Sequence, residues 1–191
     1  MGVGAPLTAA DYQVKPVKVL PIESYPARVM AGGVTVAADP YPTDEKSFTA
    51  FDVKDMNSKG YFPVHIIIQN ASQNALSLRT RDIVLVLPGG QVLYTTPATI
   101  VVQDIIGGKG TSTRSGSPLL DFTGKELTNM VVDPGAVANG FVFFFAQGVK
   151  KNLFNGSTLR IPRIEDETTR KDLGPFNIPL DPALAAIASK K

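Results

Sequence analysis

The sequence has no cysteine and no tryptophan, and it has a single histidine. Without cysteine there are no disulfides, no thiolate metal sites and no cysteine nucleophile. The compartment stays open, because exported proteins also do without disulfides. Tryptophan faces often build sugar and aromatic-cage sites. Their absence weighs against a carbohydrate-binding role, which Tyr12, Tyr25, Tyr41, Tyr61 and Tyr94 would have to carry. The lone histidine, His65, lies in the strand-like run YFPVHIIIQN. A metal site there would need carboxylate partners, and a triad would need an acid and a nucleophile around this one ring. No spacing in the sequence displays either set. Alternation places His65 on one strand face with Pro63, Ile67 and Gln69, opposite Val64, Ile66 and Ile68. It is read as a satisfied strand residue.

Two further features are scarce. No apolar run approaches the roughly 20 residues that a membrane helix needs. Basic residues do not cluster: Lys150-Lys151, Arg170-Lys171 and Lys190-Lys191 are small, scattered pairs in a protein of net charge +2. Nucleic-acid binders concentrate basic residues on one face, because counterion release drives their affinity. No nucleic-acid partner is expected. The N-terminus, MGVGAPLTAADYQ, has neither a basic n-region nor an apolar h-region. Two readings compete for it: the start of a mature exported domain whose signal has been removed, with Met1 added, or a cytoplasmic start.

What is present favours strands. The 43% hydrophobic and 19% charged composition allows a packed core. Fifteen prolines and seventeen glycines, spread along 191 residues, punctuate many short elements. Strands are predicted at Val14–Leu20, Arg28–Val36, Phe62–Gln69, Asp82–Leu87, Gln91–Thr95, Leu127–Val132, Gly140–Ala146, Thr158–Ile164 and Phe176–Leu180. Pro88-Gly89-Gly90 between two alternating runs marks a hairpin, and Asp133-Pro134-Gly135 marks a turn. GFVFFFAQG is apolar on both faces, as a central strand of a buried sheet would be. Asp181 and Pro182 open a C-terminal helix. The segment 97–106 is ambiguous, with its β-branched residues set against helix start and stop signals, and a short helix is preferred. The expected fold is mainly β, an immunoglobulin-like antiparallel sandwich with one or two short helices. Residues 1–45 read as an N-terminal arm, 46–164 as the sandwich and 165–191 as a C-terminal arm with a short helix, all within a single domain.

Several motifs fail on inspection. DMNSKG at Asp55–Gly60 places Lys59 and Ile66 where an EF-hand requires an oxygen ligand and a bidentate Glu. GGKGTS at Gly107–Ser112 has Gln103 and Gly110 where a phosphate-binding loop requires Gly and Ser or Thr. Asp44-Glu45 and Glu165–Glu167 read as solvated turns, since neighbours in sequence do not set the carboxylate separation a glycosidase needs. NAS at Asn70 and NGS at Asn155 match the glycosylation sequon, which acts only where the machinery exists. Catalytic residues, metal ligands and cofactors are therefore predicted to be absent. The long polar loop Gly107–Pro118 supplies candidate interaction residues Lys109, Thr111 and Arg114. Tyr25, Tyr41 and Tyr61 are candidates for lining a pocket.

The run FTAFDVKDMNSKGYFPVHIIIQNASQNALSLRTRDIVLVLPGGQVLY resembles a pattern in uncharacterised exported bacterial proteins, many of them candidate lipoproteins. The matching positions are Phe51, Asp52, Gly60, Pro63, Val64, Ile66, Ile68, Asn70, Ser72, Leu78, Val84, Leu85 and Gly90. GFVFFF is similar to that group's closing strand, so the likeness covers roughly residues 47–163. The resemblance implies an immunoglobulin-like sandwich in the cell envelope and brings no known activity. The lipid-accepting cysteine and export signal of that group are not in this sequence.

These readings converge on a non-catalytic, exported module, periplasmic, anchored at the outer membrane or secreted, whose partner is a protein or envelope component. The runner-up is a small-ligand or glycan-binding domain with a pocket between the N-terminal arm and the sandwich. An enzyme ranks third.

Overall fold

The computed structural model describes residues 12–107, 116–148 and 153–189. In sequence order the strands are β1 (Arg28–Ala31), β2 (Val34–Pro40), β3 (Tyr61–Asn70), β4 (Leu76–Leu78), β5 (Val84–Val86) and β6 (Val92–Thr96). They continue with β7 (Met130–Val132), β8 (Val137–Phe145), β9 (Thr158–Ile161), β10 (Ile164–Asp166), β11 (Asp172–Leu173) and β12 (Phe176–Pro179). Among the described residues the helices are α1 (Asp44–Ala50), α2 (Ala98–Ile106), α3 (Pro118–Lys125) and α4 (Asp181–Ala188). Single 3-10 turns sit at Ile22–Ser24 and Thr80–Asp82. The described residues are mainly β, with antiparallel sheets and four short helices.

Eight strands form one sheet in the order β1-β2-β3-β8-β6-β5-β9-β12, and four form a second in the order β11-β10-β4-β7. Every ladder between named strands is antiparallel. The large sheet curls until β12, last in the order, lies against β1, the first. Its pivot is β6, which pairs with β5 at Val92–Tyr94 and with β8 at Thr95–Thr96.

Alternation assigns every strand residue to one of two faces. Val36, Ala38, Phe62, Val64, Ile66, Ile68, Val142, Phe144, Leu85, Leu159 and Ile178 point inward. There they meet Leu76, Leu78, Val132 and Ile164 of the small sheet, and Ala183 of α4. The other face of β3 and β8 carries Tyr61, Phe141 and Phe143, covered by Phe51 behind α1, Val101 and Val102 of α2, and Phe122 of α3. Two cores therefore sandwich β3 and β8, which explains why these strands are apolar on both sides.

Several local expectations require correction. Arg28–Val36 is not one strand: Gly32 and Gly33, with φ of +58° and +78°, fold it into the β1–β2 hairpin. Two positive-φ residues in a two-residue loop suit the right-handed strand twist, and glycine adopts them without strain. Val14–Leu20 has no ladder and runs extended across the molecule. Thr158–Ile164 breaks at Pro162 into β9 and β10, in different sheets. Leu127–Val132 is a strand only from Met130, while β8 begins at Val137, earlier than predicted. Among the described residues four helices stand where one or two were expected. The two unexpected ones, α1 and α3, begin at the N-caps Thr43 and Ser117, whose hydroxyls accept from the Lys46 and Leu120 amides. The segment 97–106 is helical, as preferred. Within the stretch read as an N-terminal arm, residues 28–40 supply β1 and β2. Residues 165–191 contain the end of β10, then β11, β12 and α4.

Candidate functional site

The helical layer over β3 and β8 holds most of the buried polar chemistry, and nearly all of it is committed to holding elements together. Tyr12 inserts from the N-terminal segment and donates to Asp121 Oδ2 at 2.5 Å. Lys125 pairs with the same carboxylate at 2.7 Å and donates to the Ala50 carbonyl at 2.7 Å. One buried Asp–Lys pair thus joins the N-terminal segment, α1 and α3. Burial pushes the Tyr12 hydroxyl well above its ordinary value, with Asp121 adding to the shift. Burial lowers the Lys125 ammonium, against the opposing pull of Asp121. Nearby, Lys15 pairs with Asp52 at 3.0 Å and donates to the Phe48 carbonyl. Glu126 Oε1 accepts from the Ala98 amide and so satisfies a donor at the start of α2.

His65 is 2% exposed. Its ring stacks on Phe141 at 4.6 Å between centroids, and Nε2 lies 3.0 Å from Asn139 Oδ1. Burial lowers its pKa, partly offset by the Asn139 bond. Asp39 stands opposite it on β2 and pairs with Lys46 at 2.5 Å. Among the described residues, no group of three His, Asp or Glu residues could hold a metal ion.

The tyrosines singled out from sequence fall in two different hydrophobic clusters. Tyr25 packs with Ile22, Ala37 and Ile67, and its hydroxyl accepts from the Leu20 amide. Tyr41 and Tyr61 lie in the aromatic core under the helices. The Tyr61 hydroxyl donates to Asp104 at 2.5 Å, and burial with this bond pushes its pKa up to about 12. Lys109, Thr111 and Arg114 lie outside the described residues. A shallow open depression of about 310 Å³ does occur between the N-terminal segment and the sheet. It is lined by Ile22, Glu23, Arg28, Val29, Met30 and Thr35, and Met30 is 77% exposed. Asn70 of the first sequon is fully buried, donating to the Asn74 and Val132 carbonyls. That closes it to modification in the folded protein.

Sequence reading missed a partly exposed apolar face of the large sheet. The helices cover only the β3–β8 half of the outer face of the large sheet. Over β6, β5, β9 and β12 the same face presents Val92, Tyr94, Val84, Val86, Thr158, Arg160 and Asn177 outward, with Tyr94 72% exposed. Register sets Tyr94 beside Val84, Val84 beside Arg160, and Arg160 beside Asn177. Half-exposed Phe145 continues the face at the end of β8. The alternation in IVLVLPGGQVLY carried this signal: Val84, Val86, Val92 and Tyr94 are apolar where a solvated face would be polar.

No family model matches the sequence, and no curated protein matches it. Solved structures do. The yjhA protein of Bacillus subtilis is similar at 10% identity, over 72% of this chain and 78% of its own, with a TM-score of 0.40. A candidate lipoprotein of the same organism, ycdA, is similar at 12% identity over 86% of this chain, which spans only 42% of that protein, with a TM-score of 0.44. A secreted protein of Mycobacterium tuberculosis, MPT63, is similar at 8% identity over 78% of this chain and 95% of its own, with a TM-score of 0.36. At these scores and identities the likenesses carry no argument about function. Among the described residues no helix is long and apolar enough to cross a membrane.

Proposed function

We propose that this protein is a non-catalytic interaction module of the bacterial cell envelope, exported, with an immunoglobulin-like sandwich as its scaffold. The observation that carries the reading is the uncovered half of the large sheet. Contiguous apolar surface of this kind marks interaction sites on soluble proteins. Tyr94 and Arg160 are residue types enriched at the energetic centres of interfaces. The main buried polar clusters, by contrast, spend their hydrogen bonds fixing helices and the N-terminal segment. A photo-crosslinking residue at position 94, expressed in the source organism, tests the proposal. A discrete adduct from position 94, with none from the exposed Thr49 on α1, is expected. Equal adducts from both positions, or none from either, would overturn it. Cell fractionation with intact-mass analysis tests export separately, and an unprocessed cytoplasmic protein would contradict that part.

The second reading, a small-ligand or glycan-binding domain, is favoured by the depression between the N-terminal segment and the β1–β2 hairpin. Saturable heat on titration with a ligand, lost on Met30→Asp, would support it.

A further inference from the structure

Outside the sheet face, one feature carries chemistry of its own. The turn closed by the Ser157 amide donating to the Phe154 carbonyl at 3.0 Å has Asn155 and Gly156 at its corner, both exposed. Gly156 takes a φ of +65°, and a Cβ there would come within 3.1 Å of Pro88 Cγ, so a side chain at this position would be strained. An asparagine followed by glycine is set up for intramolecular imide formation, because glycine has no Cβ to shield the attacking nitrogen. The Gly156 nitrogen bonds to Asn155 Cγ, and the bond from Cγ to Nδ2 breaks. The displaced amide leaves as ammonia, carrying the proton from Gly156. Water then opens the five-membered imide at either carbonyl, giving aspartate or isoaspartate.

That nitrogen is not free in the folded protein. The Gly156 N–H donates to Asp181 Oδ1 at 2.8 Å, across from the first turn of α4. The bond occupies the proton that must leave, and the adjacent carboxylate disfavours negative charge developing on the nitrogen. The neighbouring frame is also tied: the Ser157 hydroxyl donates to the Leu153 carbonyl, and the Leu180 amide to the Ser157 carbonyl. We infer that Asn155-Gly156 is a spontaneous modification site, converting to aspartate and isoaspartate, and that Asp181 restrains it in the folded protein. Conversion places a second carboxylate beside Asp181 at the turn that feeds β9, so the product is expected to loosen the Gly156–Asp181 contact.

Peptide mapping of protein aged at mildly alkaline pH tests this, with the free peptide LFNGSTLR as the unrestrained reference. Folded wild-type protein is expected to convert about tenfold more slowly than the peptide, the factor that a charge-assisted hydrogen bond of ordinary strength represents. Asp181→Ala should recover much of that factor, and Asp181→Asn, which keeps an acceptor oxygen without the charge, a smaller part. Circular dichroism checks that each variant is folded. If Asp181→Ala does not fold, Asp181→Asn and the comparison with the peptide decide the matter. Equal rates for folded wild-type protein and peptide, or for wild type and both folded variants, would overturn the inference.

Discussion

The outer face of the large sheet is built in two ways. Over β3 and β8 it is aromatic and sealed: Phe51, Phe122, Phe141 and Phe143 form one ring cluster with centroid distances of 4.4–6.5 Å. Over β6, β5, β9 and β12 it mixes Val84, Val86, Val92 and Tyr94 with Thr158, Arg160 and Asn177, and these side chains range from half-buried to exposed. The same strands bury an equally apolar inner face on both halves. Folding therefore constrains the open half through its inward residues alone. Its outward residues are only half-buried or exposed, so packing constrains them less than it does the sealed half.

The sharpest way to break that contrast is to truncate one aromatic on each half. Phe143→Ala removes a fully buried ring and should cost about 3–5 kcal/mol in denaturant unfolding. Gly140→Ala comes next. A Cβ there would lie 2.7 Å from the Leu127 backbone, which passes beside β8, and overpacking of this kind costs about 1–3 kcal/mol. Tyr12→Phe should cost about 1–2 kcal/mol by removing one hydrogen bond to a charged acceptor, while Lys125 still pairs with Asp121.

A smaller effect is confined to acid pH. Burial holds the His65 pKa below its ordinary 6.5, so the unfolded state takes up the proton more readily than the folded one. Its contribution is complete above pH 6.5 and is lost as pH falls through the folded value. His65→Phe should flatten that slope in unfolding measured from pH 7 down to 5. The opposite slope is expected of Tyr61, whose pKa is pushed up to about 12: stability falls as pH rises from 10 towards 12. The smallest stability effect belongs to the open half, where Tyr94→Ala should change unfolding by no more than about 0.5 kcal/mol. A cost near that of Phe143→Ala would erase the distinction between the halves.

Much of this was legible in the residues. The two-faced apolar run GFVFFF announced a central strand, and Pro88-Gly89-Gly90 its hairpin. Gly32-Gly33 carried an equally plain hairpin signal, hidden because apolar residues flank it on both sides and suggest one continuous strand. Val14–Leu20 alternates like a strand but interposes Pro16, and pairing depends on a partner that local sequence does not specify. Both α1 and α3 are short and take their stability from packing, so only their caps, Thr43 and Ser117-Pro118, announced them. The open face was harder to find. Alternation shows that Val84, Val86, Val92 and Tyr94 share a face, but only the tertiary arrangement shows that α1–α3 stop short of it.

Oxidative footprinting of Tyr94, Phe141 and Phe143, in the purified protein and in the native envelope fraction, tests the contrast most directly. Tyr94 is expected to label strongly when pure and to be protected in the envelope, with both phenylalanines silent in each. Labelling of Tyr94 that is the same in the two settings would contradict a contact role for the open half.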